Sequence, residues 1–116
     1  MRNFKGSETV ITHVSSFVDS TDCAKILKAM GDATRLRILR SLVEQPKTVA
    51  ELVADLKIDQ PKASHHLAIL RHAGLVRDMR EGRQVSYWLH PSVHRQLSDS
   101  EGVIDLGCCS VGLKKE

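Results

Sequence analysis

Three cysteines, Cys23, Cys108 and Cys109, are the side chains of this 116-residue sequence best suited to bind a soft ion. An odd number of cysteines does not suggest a disulfide framework, so their thiolates are available as metal ligands. Soft sulfur donors favour thiophilic ions and disfavour magnesium, calcium and manganese.

The identity of the ion depends on the number of sulfur ligands. Trivalent arsenic and antimony prefer three sulfurs in a pyramid, and cadmium, lead and mercury also accept such sites. Zinc usually takes a fourth ligand. The sequence offers three candidates for that position: His13, His94 and Asp105.

The cysteines also have interpretations that involve no metal. Cysteine is often a small buried hydrophobe, and this applies best to Cys23, which has no cysteine near it in sequence. Cys108 and Cys109 are harder to explain by packing, because they are adjacent and follow Gly107 in a polar segment. Neighbouring reactive thiols also suit a redox or persulfide switch.

Most of the positive charge lies in residues 57–90. The chain has 17 Lys and Arg against 14 Asp and Glu, for a formal net charge of +3. Six basic and three acidic side chains in residues 57–90 account for that whole excess, and four of the six histidines lie there too. A local basic stretch favours a polyanionic partner such as nucleic acid.

Apolar residues at helical spacing predict four helices in the centre of the chain, each preceded by residues that can cap it. The caps are Thr21 or Asp22, Asp32, Thr48 and Asp59. Thr48 and Glu51 have the spacing of a capping box. From Val76 the apolar period changes to two, and Gly82 in a polar connection predicts a β-hairpin that ends at Pro91.

This succession predicts a mostly α-helical winged helix-turn-helix. The helix over residues 60–72 can enter the major groove with its polar face towards the base edges, and its N-terminus favours phosphate. The basic hairpin tip can reach the DNA backbone or the minor groove. His66 is expected to pack in the core. The candidate DNA-binding side chains are Gln60, Lys62, Ser64, His65, Arg80 and Arg83.

The sequence divides into three segments with different expected roles. Residues 1–20 predict an N-terminal arm, residues 21–98 a domain for DNA binding and dimerisation, and residues 99–116 a C-terminal tail with the cysteine pair.

No apolar run approaches the roughly 18–20 residues of a membrane span, and the N-terminus lacks the apolar core of a secretory signal. A cytoplasmic location is therefore expected.

Other classes of function have less support. An enzyme could pair a cysteine nucleophile with a histidine base, but the sequence contains no Gly-rich phosphate loop, nucleophile elbow or paired carboxylates. A winged-helix domain that binds only protein is the second alternative. Steep salt dependence of operator binding would distinguish a DNA-binding protein from both.

Four stretches of the sequence resemble the ArsR/SmtB family of metal- and metalloid-responsive repressors. They lie at residues 27–39, 60–67, 70–76 and 80–83. The resemblance implies a homodimer, joined through its first and last helices, that binds operator DNA and releases it when an inducer binds. It also implies that residues 60–72 form the recognition helix and that the hairpin is the wing.

Two sensing sites common in that family are missing from this sequence. A Cys-x-Cys at the start of the helix before the recognition helix would occupy Thr48 and Ala50. The zinc, nickel or cobalt site on the last helix would need Asp-x-His followed by His-x-x-Glu. His90 and His94 lie nearby without forming that pattern.

The three cysteines are therefore the candidate sensor. Cys23 falls in the first turn of the first predicted helix, where the helix dipole would lower its pKa. In the dimer that the resemblance implies, both chain ends meet at the interface, so Cys23, Cys108 and Cys109 could converge within one subunit or between two. Arsenite or antimonite is the favoured inducer, with cadmium, lead, mercury, zinc or thiol oxidation as alternatives.

Overall fold

Helices dominate the described part of the chain and precede short antiparallel strands. The computed structural model describes residues 20–91, 93, 102–105 and 109–113. The helices are α1 (Ser20–Met30), α2 (Ala33–Glu44), α3 (Val49–Leu56) and α4 (Gln60–His72). The strands are β1 (Lys47–Thr48), β2 (Val76–Glu81), β3 (Gln84–Leu89), β4 (Val103–Asp105) and β5 (Ser110–Gly112). The predicted mostly α-helical fold with a β-hairpin is confirmed.

Capping interactions begin three of these helices where the sequence predicts them. Asp32 and Asp59 each accept a hydrogen bond from the backbone N–H three residues later, at 3.1 Å and 2.7 Å. Thr48 and Glu51 form the predicted capping box. Helix α1 instead begins at Ser20, so the two residues predicted to cap it lie inside its first turn.

The turn between α3 and α4 depends on a left-handed residue that is not glycine. Lys57 has φ 56° and ψ 50°, and its backbone N–H donates to the carbonyl of Val53 at 2.9 Å. Left-handed backbone costs an L-amino acid roughly 1–2 kcal/mol. This strained residue ends α3 and lets α4 begin three residues later, which produces the helix-turn-helix geometry.

One hydrophobic core joins the helices to both sets of strands. Helix α4 contributes Ala63, Leu67 and Leu70, each with 0% of its surface exposed. The same core contains Cys23 of α1 and Ile104 of β4. Since full burial of a leucine side chain contributes about 1.5–3 kcal/mol, the inner face of α4 is firmly held.

Strands β2 and β3 form the predicted wing. They pair antiparallel from Val76 opposite Leu89 to Glu81 opposite Gln84, and β1 joins the other edge of β3. The connection is a two-residue turn whose first residue, Gly82, has φ 65°. A positive φ at the first central position alone is typical of a type II′ turn, which matches the twist of a hairpin.

Strands β4 and β5 form a second antiparallel pair that the sequence did not predict. Val103 lies opposite Gly112 and Asp105 opposite Ser110, so Cys109 directly precedes β5. Ile104 is completely buried, which attaches the pair to the main core. Strands of three residues are too short to show an alternating pattern. The sequence therefore predicted only a tail in this region.

No helix in the described ranges is long and apolar enough to cross a membrane. Beyond β3, Pro91 and Val93 are helical. The predicted N-terminal arm lies outside the described residues except for residue 20.

Replacing Lys57 with glycine should raise the free energy of unfolding by about 1 kcal/mol, because glycine adopts the left-handed conformation without a Cβ clash. Lys25→Gly, at an exposed position inside α1, is the matched control and should lower the same quantity by about 1 kcal/mol. Urea unfolding at one protein concentration measures both. Equal destabilisation by the two changes would contradict the backbone conformation of Lys57.

Candidate nucleic-acid interface and cysteine site

Helix α4 has one buried face and one exposed polar face. Ala63, His66, Leu67 and Leu70 are buried. The predicted DNA-binding side chains of this helix are all exposed: Gln60, Lys62, Ser64 and His65. Asp59 caps the helix, and its carboxylate accepts the backbone N–H of Lys62. The arrangement presents four polar side chains from the first two turns of a helix whose back is fixed in the core.

The wing carries its basic side chains near the tip. Every residue of β2 after Val76 is exposed. Arg80 lies opposite Val85, next to the last pair of the ladder, and Arg83 lies in the turn itself. Both arginines are exposed, so the structure places them at a protruding hairpin end where two positive charges can approach an anionic backbone.

His66 links α4 to the end of α1 through Arg35. Its Nδ1 lies 3.0 Å from Nη1 of Arg35, and Nε of the same arginine donates to the carbonyl of Ala29 at 2.5 Å. Because an arginine side chain only donates, Nδ1 accepts and the imidazole is neutral. The expectation that His66 packs inside is confirmed, since it is 8% exposed.

Burial lowers the pKa of His66 below its ordinary value of 6.5. The carboxylate of Asp32, 3.9 Å from Nδ1, opposes this shift, whereas the positive charges of Arg35, His65 and Lys62 add to it. The pKa of Asp32 is itself lowered, first by the hydrogen bond from the backbone N–H of Arg35. The environment therefore favours a neutral histidine beside an ionised aspartate.

A second polar cluster holds α3 against α2, and sequence patterning did not reveal it. Nζ of Lys47 donates to Oγ of Ser41 and to Oδ2 of Asp55, both at 2.8 Å. Arg37 donates from Nη2 to the carbonyl of Leu56 at 3.0 Å, at the end of α3. These contacts fix the helix that precedes the turn, because they join α2, β1 and α3.

Cys23 differs from its expected state. It lies in the first turn of α1 as predicted, but its side chain faces the core with Ile26 and is only 2% exposed. It is also disulfide-bonded, so the predicted thiolate is absent in this structure. The physical reason for its burial is its spacing of three from Ile26, which places both side chains on the apolar face of the helix.

The remaining candidate ligands are only partly covered by the structure. Cys109 is exposed and outside any disulfide, and Asp105 is exposed at the end of β4. Cys108, His13 and His94 lie outside the described residues. Among the residues that the structure describes, no three His, Cys, Asp or Glu side chains lie together as a metal site would require.

Comparisons with known proteins agree with this architecture. Residues 32–78 match the family model described as bacterial regulatory protein, arsR family. The arsenic resistance transcriptional regulator ArsR1 of Pseudomonas putida is 39% identical over 69% of this chain and 64% of its own length. The match thus spans slightly less than two thirds of that relative. The transcriptional repressor SmtB homolog of Synechocystis is 33% identical over 74% of this chain and 68% of its own length.

A solved structure supports the same fold. The homodimeric winged helix-turn-helix DNA-binding domain of Mb0332 from Mycobacterium bovis superimposes with a TM-score of 0.63, covering 87% of each chain at 22% identity. The match to the SmtB homolog of Synechocystis over more than two thirds of both proteins, together with the family model and ArsR1, identifies the chain as a member of the ArsR/SmtB family of DNA-binding transcriptional repressors, a family of regulators rather than enzymes.

Proposed function

We propose that this repressor binds operator DNA as a homodimer through α4 and the wing. We propose further that it releases the operator when arsenite or antimonite binds Cys23, Cys108 and Cys109. The observation that carries the DNA-binding part is the two-sided character of α4. Its inner face is locked in the core, while its first two turns expose side chains that can read bases or contact phosphates.

Each proposed DNA-binding residue has a role that follows from its chemistry. Lys62 near the N-terminus of α4 and the wing residues Arg80 and Arg83 supply positive charge for phosphates, and a lysine or arginine can also read guanine. The remaining residues of α4 supply neutral donors and acceptors for base edges or phosphates: Gln60, Ser64 and His65.

A dimer gives the interaction its specificity. Two copies of α4 can occupy successive major grooves only when their separation matches half-sites about 34–36 Å apart. A modest change in that separation weakens the interaction with both half-sites at once. Inducer binding can therefore release DNA by shifting the two helices relative to each other, without unfolding either one.

The proposed sensor connects the cysteines to α4 through the core. Cys23 and Ile104 belong to the same buried cluster as Leu67 of α4, and Cys109 directly precedes β5, the partner strand of Ile104. Arsenous acid would exchange three hydroxyl groups for three cysteine sulfurs, and each thiol proton would leave with one hydroxyl group, so that three molecules of water are released. Linkage requires operator DNA to weaken inducer binding by the same factor by which inducer weakens operator binding.

Thiol oxidation is the second candidate signal, and one observation favours it. The sulfur of Cys23 is in a disulfide, although only 2% of the residue is exposed. A chain that can place a second sulfur against Cys23 can be switched by an oxidant as well as by an ion that bridges sulfurs. Metalloid binding requires the reduced thiolates, so the two signals are distinguished by the redox state in which operator release occurs.

Lys62→Ala and Arg83→Ala should each weaken operator binding on every DNA sequence tested, because both side chains are proposed to contact phosphate. The slope of log K against log salt should fall by about 0.9 for each phosphate that the variant no longer neutralises. Lys25→Ala, on an exposed position of α1, is the matched control and should leave the slope unchanged. Reduced discrimination between sequences at unchanged affinity would contradict the phosphate roles.

Arsenite should weaken operator binding by the reduced wild-type protein by at least tenfold, a coupling of about 1.4 kcal/mol. Cys109→Ser should bind operator normally and lose this response, and Ser110→Ala is the neighbouring control that should keep it. Fluorescence anisotropy with labelled operator measures both affinities. Operator release by arsenite from Cys109→Ser would remove that cysteine from the proposed site.

Under non-reducing conditions the folded protein should react with iodoacetamide at Cys109 and leave Cys23 unmodified, because Cys23 is buried and disulfide-bonded. Mass spectrometry of tryptic peptides reports both sites. If a peroxide-treated sample loses operator affinity and dithiothreitol restores it while arsenite has no effect on the reduced protein, oxidation is the physiological signal.

A further inference from the structure

We propose that Arg35 is a positioning residue for operator recognition, which holds α4 in its DNA-binding orientation by bridging the carbonyl of Ala29 and a neutral His66. The inference rests on the proposed DNA-binding function of α4. Protonation of His66 breaks this bridge, so operator binding weakens in mild acid.

The bridge joins three helices, α1, α2 and α4, through one side chain. Nε of Arg35 donates to the carbonyl of Ala29 in the last turn of α1, and Nη1 lies 3.0 Å from Nδ1 of His66 on α4. Arg35 itself belongs to α2, one turn after the cap residue Asp32. A planar guanidinium with two donors in fixed relation thus sets the distance between the end of α1 and the middle of α4.

The location of His66 makes this bridge relevant to DNA. His66 follows His65 and lies four residues after Lys62, both on the exposed face proposed to contact DNA. A small rotation of α4 that breaks the contact with Arg35 would move these outward side chains as well. A directional hydrogen bond constrains the rotation of α4 in addition to its apolar contacts, because it requires a particular geometry of donor and acceptor.

The histidine has the chemistry of a reversible contact. In the neutral form its Nδ1 accepts from Arg35, whereas in the protonated form both ring nitrogens donate and no acceptor is left for the guanidinium. The charged groups facing His66 are Asp32 from the α1–α2 junction, Arg35 from α2, and His65 and Lys62 from α4. Asp32 is the single anion among them, and its carboxylate already caps α2.

The direction of the pH effect follows from the lowered pKa of His66. In the docked state, burial lowers the pKa of His66 below its ordinary value of 6.5, and detachment of α4 from the bridge would remove that cause. Above that ordinary value the histidine is neutral in both states, and the docked orientation is favoured. As the pH falls below it, protons bind preferentially to the detached state, and docking is progressively lost until the docked histidine also protonates.

Operator affinity measured between about pH 8 and pH 5.5 at constant ionic strength tests this inference. Wild-type protein should bind roughly threefold to tenfold more weakly at the acid end. One pH unit below the ordinary pKa of a histidine, protons can favour the detached state over the docked state by at most about tenfold at each His66. His66→Gln should bind like wild type at the alkaline end and lose this weakening, since its carboxamide oxygen accepts from Arg35 and does not titrate.

Two further variants separate positioning from folding and from direct DNA contact. His65→Gln, the exposed neighbour, should keep the acid weakening if the bridge is its cause. Arg35→Lys keeps the charge but has one nitrogen for two acceptors, so it should weaken operator binding at the alkaline end and show less acid weakening than wild type, while circular dichroism shows a folded protein. Equal acid weakening in wild type and His66→Gln would overturn the inference and leave operator binding intact. Absence of operator binding by wild type at every pH would instead overturn the proposed function.

Discussion

One face of α4 is buried in a core that also contains Cys23 of α1. The rest of this molecule depends on that constraint. Leu67 and Leu70 are completely buried, and the cluster that surrounds them extends to Cys23 in α1 and to Ile104 in β4. Such interiors are close-packed and have few alternative arrangements, so a displacement at one wall is transmitted to the others. A displacement at Cys23 or at Ile104 can therefore reach α4 through the same core.

Polar contacts add direction to this apolar packing. Burial of leucines favours a docked α4, and the contacts from Ala29 through Arg35 to His66 add a directional requirement to that packing. The desolvation that accompanies burial lowers the pKa of His66 and so favours the neutral form that the bridge requires. A polar group left without its partner in these partly buried surroundings costs free energy. Packing and hydrogen bonding therefore favour the same docked state of α4.

Local signals in the sequence were sufficient to predict the central architecture. The caps at Asp32, Thr48 and Asp59 act within four residues, and the wing turn at Gly82 follows from a change of period and one glycine. The exposed face of α4 was equally predictable, because the inward positions of a helix leave the others for solvent. These features do not depend on contacts between distant parts of the chain. The family resemblance, which rests on the same stretches, agrees with the later comparisons.

Features that depend on distant contacts could not be predicted in this way. Strands β4 and β5 have only three residues each. Ile104 can be assigned to the core only when its burial in the folded structure is known. The contacts of Arg35 are a second example, because its long side chain reaches Ala29 of α1 and His66 of α4. Cys23 was expected as a thiolate, and its direction into the core depends on which face of α1 is covered.

Coupling between the cysteines and α4 through the shared core is the central claim, and Ile104→Ala tests it most directly. This change shortens the side chain that joins β4 to the core but leaves all three cysteines and the DNA-binding face in place. The decisive quantity is the ratio of operator affinities without and with arsenite, measured for the reduced variant and the wild type, with arsenite binding followed separately by X-ray absorption. We expect the variant to bind arsenite through sulfur and to bind operator, and we expect its affinity ratio to be several-fold closer to one than the ratio of the wild type. An affinity ratio equal to that of the wild type would contradict coupling through the core.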